Sequence, residues 1–175
     1  GGEVRFHTLV EDVNLKNGRV VSVTANGAEL PCDCLLMAPG NAARGLFSRC
    51  LEHGIPIEAK PFSVGARIEH LQADIDTALY GDYAGHPRLG HGEYQLSQRD
   101  AETGRAVYTF CMCPGGVVVP AASERETVVT NGMSFHSRAG RNANSALVVS
   151  VDPQDFGHNP LDGVLFQQQI EQRAY

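Results

Sequence analysis

An α+β fold, built on a β-rich mixed or antiparallel sheet with a few helices, follows from three features of this 175-residue sequence. Two Asn-Gly pairs, Asn17-Gly18 and Asn26-Gly27, separate short alternating runs near the start. The middle and late chain is a series of short β-branched and apolar segments bounded by Gly, Pro and Asn. Only three segments carry the apolar spacing of a helix.

The first run alternates through Val4, Phe6 and Thr8, passes Asn17-Gly18, continues as residues 20–24, and turns again at Asn26-Gly27. Asn-Gly favours a two-residue turn because both central residues take positive φ, so this region reads as a three-stranded antiparallel meander. In CDCLLMAPGNAARGLFSRCLEHG, the apolar run 35–38 reads as a buried strand that turns at Pro39-Gly40 into a helix. Asn41 is the expected N-cap of that helix, Ala43, Leu46, Phe47, Cys50 and Leu51 form its stripe, and Gly54 is its stop.

KPFSVGARIEH reads as a strand with Phe62, Val64, Ala66 and Ile68 on one face. A short helix through Leu71, Ile75 and Leu79 follows, then the aperiodic loop GDYAGHPRLGHGE. Residues 94–99 and 105–113 pair as a hairpin around 100–104, and GVVVP, TVVTNG and SALVVSV supply three more strands. Asn159 as N-cap, Pro160 at the first helical position and Asp162 in the first turn start a closing helix.

Composition removes several function classes. A net charge of -6 with scattered Lys and Arg gives no footprint for nucleic acid or an anionic membrane. The longest apolar runs fall short of a bilayer span, and no export signal opens the chain. Five cysteines without such a signal suit reduced thiols in a cytoplasm, so no structural disulfide is expected. The chain lacks an initiating Met and stops inside a helical pattern, as an internal piece of a longer protein would.

The chemistry candidates cluster late in the chain. In YTFCMCPGG, alternation puts Ala106, Tyr108, Phe110 and Met112 on the bulkier core face, and Val107, Thr109, Cys111 and Cys113 on the other, toward a second layer, a cleft or solvent. Cys111 and Cys113 are oriented poorly for an unstrained disulfide. Together with Cys32 and Cys34 they would make four thiols, but the C-x-C spacing is not that of zinc knuckles, and no metal site is expected. They read either as small core residues or as a site pair. Gly115 and Gly116 are either a plain turn or a place where backbone approaches a ligand. In NGMSFHSRAGRNANS, Ser134, Arg138, Asn142 and Asn144 concentrate donors as a substrate or anion loop would, or as a solvated connection would.

CDCLLMAPGNAARGLF, KPFSVGARIEH, YTFCMCPGGVVVPAASE, VVTNGMSFHSRAGRNANSALVVSV and NPLDGVLFQQQIEQRAY together resemble the uncharacterised FAD-dependent dehydrogenases, a bacterial family of NAD/FAD-utilising flavoproteins. The most specific parts are CMCPGG and the stretch from NGMS to ANSALVVSV. The resemblance implies a Rossmann-like FAD domain interrupted by a β-rich domain. Residues 1–58 would be the C-terminal part of the FAD domain, 59–159 the inserted domain, and 160–175 the start of a helix returning to the remainder of the FAD domain, its partner in the parent chain. The G-x-G-x-x-G fingerprint that meets the pyrophosphate is absent from this sequence. Ala38-Pro39-Gly40 sits where many flavoproteins carry Ala-Thr-Gly, so Ala38, Pro39, Gly40 and Asn41, with Gly115 and Gly116, become the cofactor-binding expectation. Pro39 removes a hydroxyl and a backbone donor there.

On this reading the parent binds FAD, and the chain alone binds little FAD and has no activity. Cys111 and Cys113 would lie near the flavin, and a small molecule would be the substrate, with NAD(P) compatible as a partner in electron transfer. The rival reading is a non-enzymatic β-rich binding or dimerisation module, with edge strands such as GVVVP open to a homodimer and Pro120 limiting the pairing.

Overall fold

A computed structural model describes residues 2–175. Its contacts divide the chain into two compact units, the residues up to Ala59 with His158–Leu165, and Lys60–Gly157 with Phe166–Tyr175. The fold is α+β, and every strand pairing among the described residues is antiparallel.

The first unit holds the meander, β1 (Val10–Lys16), β2 (Arg19–Ala25) and β3 (Ala28–Pro31), in that spatial order. Its two turns have positive φ at both central residues, 53° and 72° at Asn17 and Gly18, 48° and 74° at Asn26 and Gly27. That is the backbone twist a two-residue hairpin requires. The sheet starts later than the alternation implies. Residues 4–9 stay outside it, with a turn at Phe6-His7 where His7 has φ 52° and Phe6 is 81% exposed. Helix α1 (Arg44–Glu52) packs on β1 and buries Cys50, and Val13, Ser22 and Ala25 complete a small core.

Two expectations in this unit are corrected. Residues 35–38 form no strand, and Leu36 is 90% exposed. A strand needs a neighbour for its N–H and C=O groups, and no strand among the described residues pairs with this run. Asn41 is not the cap either, since α1 follows Ala43, which offers no side-chain hydrogen bond. Gly54 ends the helix as expected, at φ 73°.

The second unit contains β4 (Phe62–Leu71), α2 (Gln72–Tyr80), β5 (Ser97–Arg99), β6 (Ala106–Cys113), β7 (Gly116–Pro120), β8 (Thr130–Ser134), β9 (Asn142–Val151) and α3 (Pro153–Phe156). A four-stranded sheet runs β4-β9-β6-β5, and β7-β8 is a separate hairpin. β4 and β9 pair without interruption from Phe62–Val151 to Leu71–Asn142. On β4 the expected face is only partly buried. Ile68 is 39% exposed and Ala66 is exposed, whereas Arg67, expected outside, is half-buried.

The short α3 escapes a search for apolar periodicity but has a full capping box. The Asp152 carboxylate accepts from the Gln154 N–H, and Asp155 accepts from the Asp152 N–H. Phe62 stacks on Phe156 with centroids 5.0 Å apart, and Phe166 meets Phe62 edge-on at 6.3 Å and Phe156 at a tilt at 6.0 Å. Helix α4 (Asp162–Arg173) begins three residues after Asn159. There the expected capping roles are reversed, because both Asn159 N–H groups donate to the Asp162 carboxylate at 2.9 and 3.0 Å.

Candidate functional site

The pairing of β5 with β6 ends where a side chain takes the place of backbone. The Thr109 N–H donates to Leu96 O at 2.8 Å, but the Leu96 N–H donates to Thr109 Oγ1, not to a main-chain carbonyl. One residue past Phe110 the ladder between β6 and β9 also shifts register, and Cys111 takes φ 49°. A non-glycine residue in this left-handed region is strained by about 1 kcal/mol and persists only where its neighbours impose it.

The neighbours are identifiable. Arg67 reaches from β4 and donates through both Nη atoms to the Cys111 carbonyl, at 3.2 and 3.3 Å. Its Nη1 also donates to Asn144 Oδ1 and lies 3.8 Å from Cys113 Sγ. Gly132 makes room for this arrangement, since a Cβ there would lie 2.1 Å from Arg67 Nη1.

This bulge overturns the simple alternation along β6. Phe110, expected in the core, is 64% exposed, and Thr109 is buried. Cys111 is exposed while Cys113 is buried, so the two thiols do not share an environment. Burial pushes the Cys113 thiol up, and the neighbouring Cys111 adds to this against a partial offset from the Arg67 guanidinium.

Beyond Thr109 the chain segments diverge and leave a groove of about 480 Å³ lined by residues 93–95 and 109–112. Its lining residues are Glu93, Tyr94, Gln95, Thr109, Phe110, Cys111 and Met112. Glu93 forms an ion pair with Arg138. A second cavity of about 480 Å³, lined by Leu79, Tyr80, Tyr83, His86, Arg88 and Leu89, follows α2 and is more apolar.

The turn after Cys113 is closed. Pro114, Gly115 and Gly116 are buried. Gly115 has φ 54°, and a Cβ on it would lie 1.8 Å from the Arg138 carbonyl oxygen; on Gly116 it would lie 2.3 Å from that of Met133. The close approach these glycines allow is therefore made by the protein's own backbone. Gln72, 3% exposed, locks the turn: its Oε1 accepts from the Gly115 N–H at 3.0 Å, while its Nε2 donates to Asp76 Oδ1 and Gly92 O.

Three of the four residues of the expected anion loop donate to internal partners, and the fourth, Asn144, is engaged only as an acceptor, its buried Nδ2 having no partner among the described residues. Ser134 Oγ donates to Pro114 O at 2.9 Å, Arg138 pairs with Glu93, and Asn142 Nδ2 donates to Glu69 Oε1 at 2.7 Å. Asn144, fully buried, accepts from Arg67. In the first unit Ala38, Pro39, Gly40 and Asn41 are all exposed, and Gly40 has φ 74° with nothing within 4 Å of a Cβ position.

Of the two cysteines singled out by the sequence, Cys111 lines the groove, whereas Arg67, Gln72, Glu93 and Tyr94 were not singled out. Arg67 and Gln72 had a readable signal, a long polar side chain at a position with apolar neighbours on either side. Glu93 lay at the end of the aperiodic loop and had none, and Tyr94 was read as the start of a strand 94–99 that in the structure begins only at Ser97. Among the described residues no three His, Cys, Asp or Glu side chains gather as metal ligands, and no helix is long and apolar enough to cross a membrane.

Comparison with known proteins adds two findings. A family model described as "FAD-dependent protein, C-terminal domain-like" matches residues 61–175. An uncharacterised protein of Clostridium beijerinckii is 44% identical over 176 residues, covering 100% of this chain and 33% of that protein. The chain therefore spans about a third of the length of this curated relative.

Proposed function

The chain belongs to the FAD-dependent protein C-terminal domain-like family through residues 61–175, and from that premise we propose that its second unit covers the flavin and shapes the substrate site of an FAD-dependent oxidoreductase. The family match carries this reading, and the groove at Cys111 supplies a place for it. The groove is open, holds polar and aromatic groups together, and ends at a strained backbone position of the kind that clusters at functional sites.

The residues offered for the cofactor divide on inspection. Ala38, Pro39, Gly40 and Asn41 are exposed, with nothing within 4 Å of a Cβ position on Gly40, so they are open to an approaching group. Gly115 and Gly116 do not fit a cofactor contact, because their open faces are filled by the carbonyls of Arg138 and Met133. When bound, the flavin would supply two-electron transfer to or from the substrate. This chain's residues would bind and orient that substrate and exclude water from it. Of the two thiols this reading assigns Cys111 to the ligand, because it is exposed while Cys113 is buried.

In the intact parent the remainder of the FAD domain would be the chain's partner, with a nicotinamide nucleotide compatible as electron donor or acceptor. The five free thiols suit a cytoplasmic setting. A second reading, a binding or dimerisation module without catalysis, draws support from the sheet face on which Val107, Leu147 and Ile68 are 39%, 42% and 39% exposed.

The test is a visible absorption spectrum of the purified chain beside that of its full-length parent. A yellow, flavin-loaded parent beside a colourless chain is expected. A parent that is colourless and cannot be loaded with FAD would overturn the oxidoreductase reading and leave the docking module.

A further inference from the structure

The groove that Cys111 helps to line also includes a tyrosine whose hydroxyl is hydrogen-bonded to a histidine of β4. Tyr94 is part of the wall. Its Oη lies 2.7 Å from Nε2 of His70 on β4, with the two rings 5.5 Å apart. The other ring nitrogen of His70, Nδ1, is buried and has no hydrogen-bond partner among the described residues.

A neutral imidazole has one N–H and one bare lone pair. A hydrogen on Nδ1 would bury an unmatched N–H donor, which folded proteins tolerate less well than an under-used acceptor. The hydrogen therefore belongs on Nε2, which donates to Tyr94 Oη. With His70 acting as donor, the phenolic hydrogen is left free to be given elsewhere, and Tyr94 is one of the residues that line the groove.

We propose that Tyr94 is the ligand-binding hydrogen-bond donor of this groove, held in that role by His70 as a positioning residue, and that its ligand is a neutral conjugated carbonyl compound. A fixed O–H donor selects an acceptor oxygen. The charge of Glu93 is balanced by Arg138, so the rim neither demands an anion nor repels a neutral oxygen. Phe110, 64% exposed on the same wall, offers a ring face to a planar group attached to that carbonyl. The inference deepens the substrate-site reading and rests on it for its setting, but the binding itself needs no flavin.

Two measurements on the full chain test it. Long-range ¹H–¹⁵N correlation spectra report the His70 tautomer: hydrogen on Nε2 with a pyridine-type Nδ1 is expected, and hydrogen on Nδ1 overturns the proposal. Titration with benzamide, followed by backbone amide shifts, is expected to perturb residues 93–95 and 109–112 saturably. Tyr94→Phe should weaken that binding roughly tenfold, the loss of one hydrogen bond, with the remaining amide spectrum unchanged. Absence of benzamide binding, or equal binding by Tyr94→Phe, overturns it. A colourless parent that still binds benzamide through Tyr94 would remove the flavin reading alone. A yellow parent that ignores benzamide would remove this inference alone.

Discussion

Two Pro-Gly pairs follow short apolar runs in this chain, Pro39-Gly40 and Pro114-Gly115, and local sequence gives them nearly the same signature. Both glycines take positive φ, 74° and 54°. Around Gly40 nothing lies within 4 Å of a Cβ position, and Leu36 upstream is 90% exposed. Around Gly115 the Arg138 carbonyl fills that position at 1.8 Å, and Cys113 upstream is 6% exposed. Pro114-Gly115 is itself the turn, whereas after Pro39-Gly40 the turn falls on residues 41–42. Whether the missing side chain is then used depends on residues distant in sequence: Gln72, Arg138 and Gly140 surround the second pair, and no counterpart among the described residues surrounds the first.

An alanine at each position puts this difference into numbers. Gly115→Ala must accept an unfavourable φ and also displace a main-chain carbonyl, so a loss of about 3 kcal/mol or more is expected. Gly40→Ala bears only the φ penalty, about 1 kcal/mol. Urea unfolding followed by circular dichroism measures both. Equal losses would mean that the closed turn is not held by its packing, and the contrast between the two pairs would collapse.

A smaller and graded effect comes through Asp76, which supports the Gln72 that clamps Gly115. Burial pushes its carboxyl up, but the Gly92 N–H, His91 and the Gln72 amide together outweigh that and hold it below the ordinary carboxylate range. A group whose folded pKa lies below its unfolded value stabilises the fold above that unfolded value, about 3.9 for Asp. The contribution disappears as pH falls from there through the folded pKa. Unfolding free energy of the wild type should therefore decline below about pH 4, and Asp76→Asn should make that decline shallower while lowering stability at neutral pH. Parallel acid limbs in the two proteins would show that Asp76 has no part in holding the turn.

What could be read in advance follows the same division between local and distant causes. The two Asn-Gly hairpins were legible because the residues that need positive φ are the residues that make the turn. The β4 to β9 strands were legible by composition and α2 by periodicity, although α3 has too few residues to show a period. The bulge at Cys111 was not, because nothing in YTFCMC marks it; Arg67, 44 residues earlier, donates to the Cys111 carbonyl. Nor could the loop of donors show that it was already engaged. Ser134, Arg138, Asn142 and Asn144 find partners 20, 45, 73 and 77 residues away.

The finest form of the comparison uses the thiols, since each unit holds one exposed and one buried cysteine: Cys34 and Cys50 in the first, Cys111 and Cys113 in the second. Burial raises the Cys50 thiol, with Asp12 adding to it, and burial with Cys111 raises Cys113. Alkylation proceeds through the thiolate and needs access, so iodoacetamide should modify Cys34 and Cys111 at least about tenfold faster than Cys50 and Cys113, as mapped by mass spectrometry. In Gly115→Ala the Cys113 rate should rise toward that of Cys111, while the Cys34 to Cys50 ratio stays fixed. If Cys111 and Cys113 react alike in the wild type, the bulge does not separate them, and the thiol assigned to the groove loses its distinction from the one beneath it.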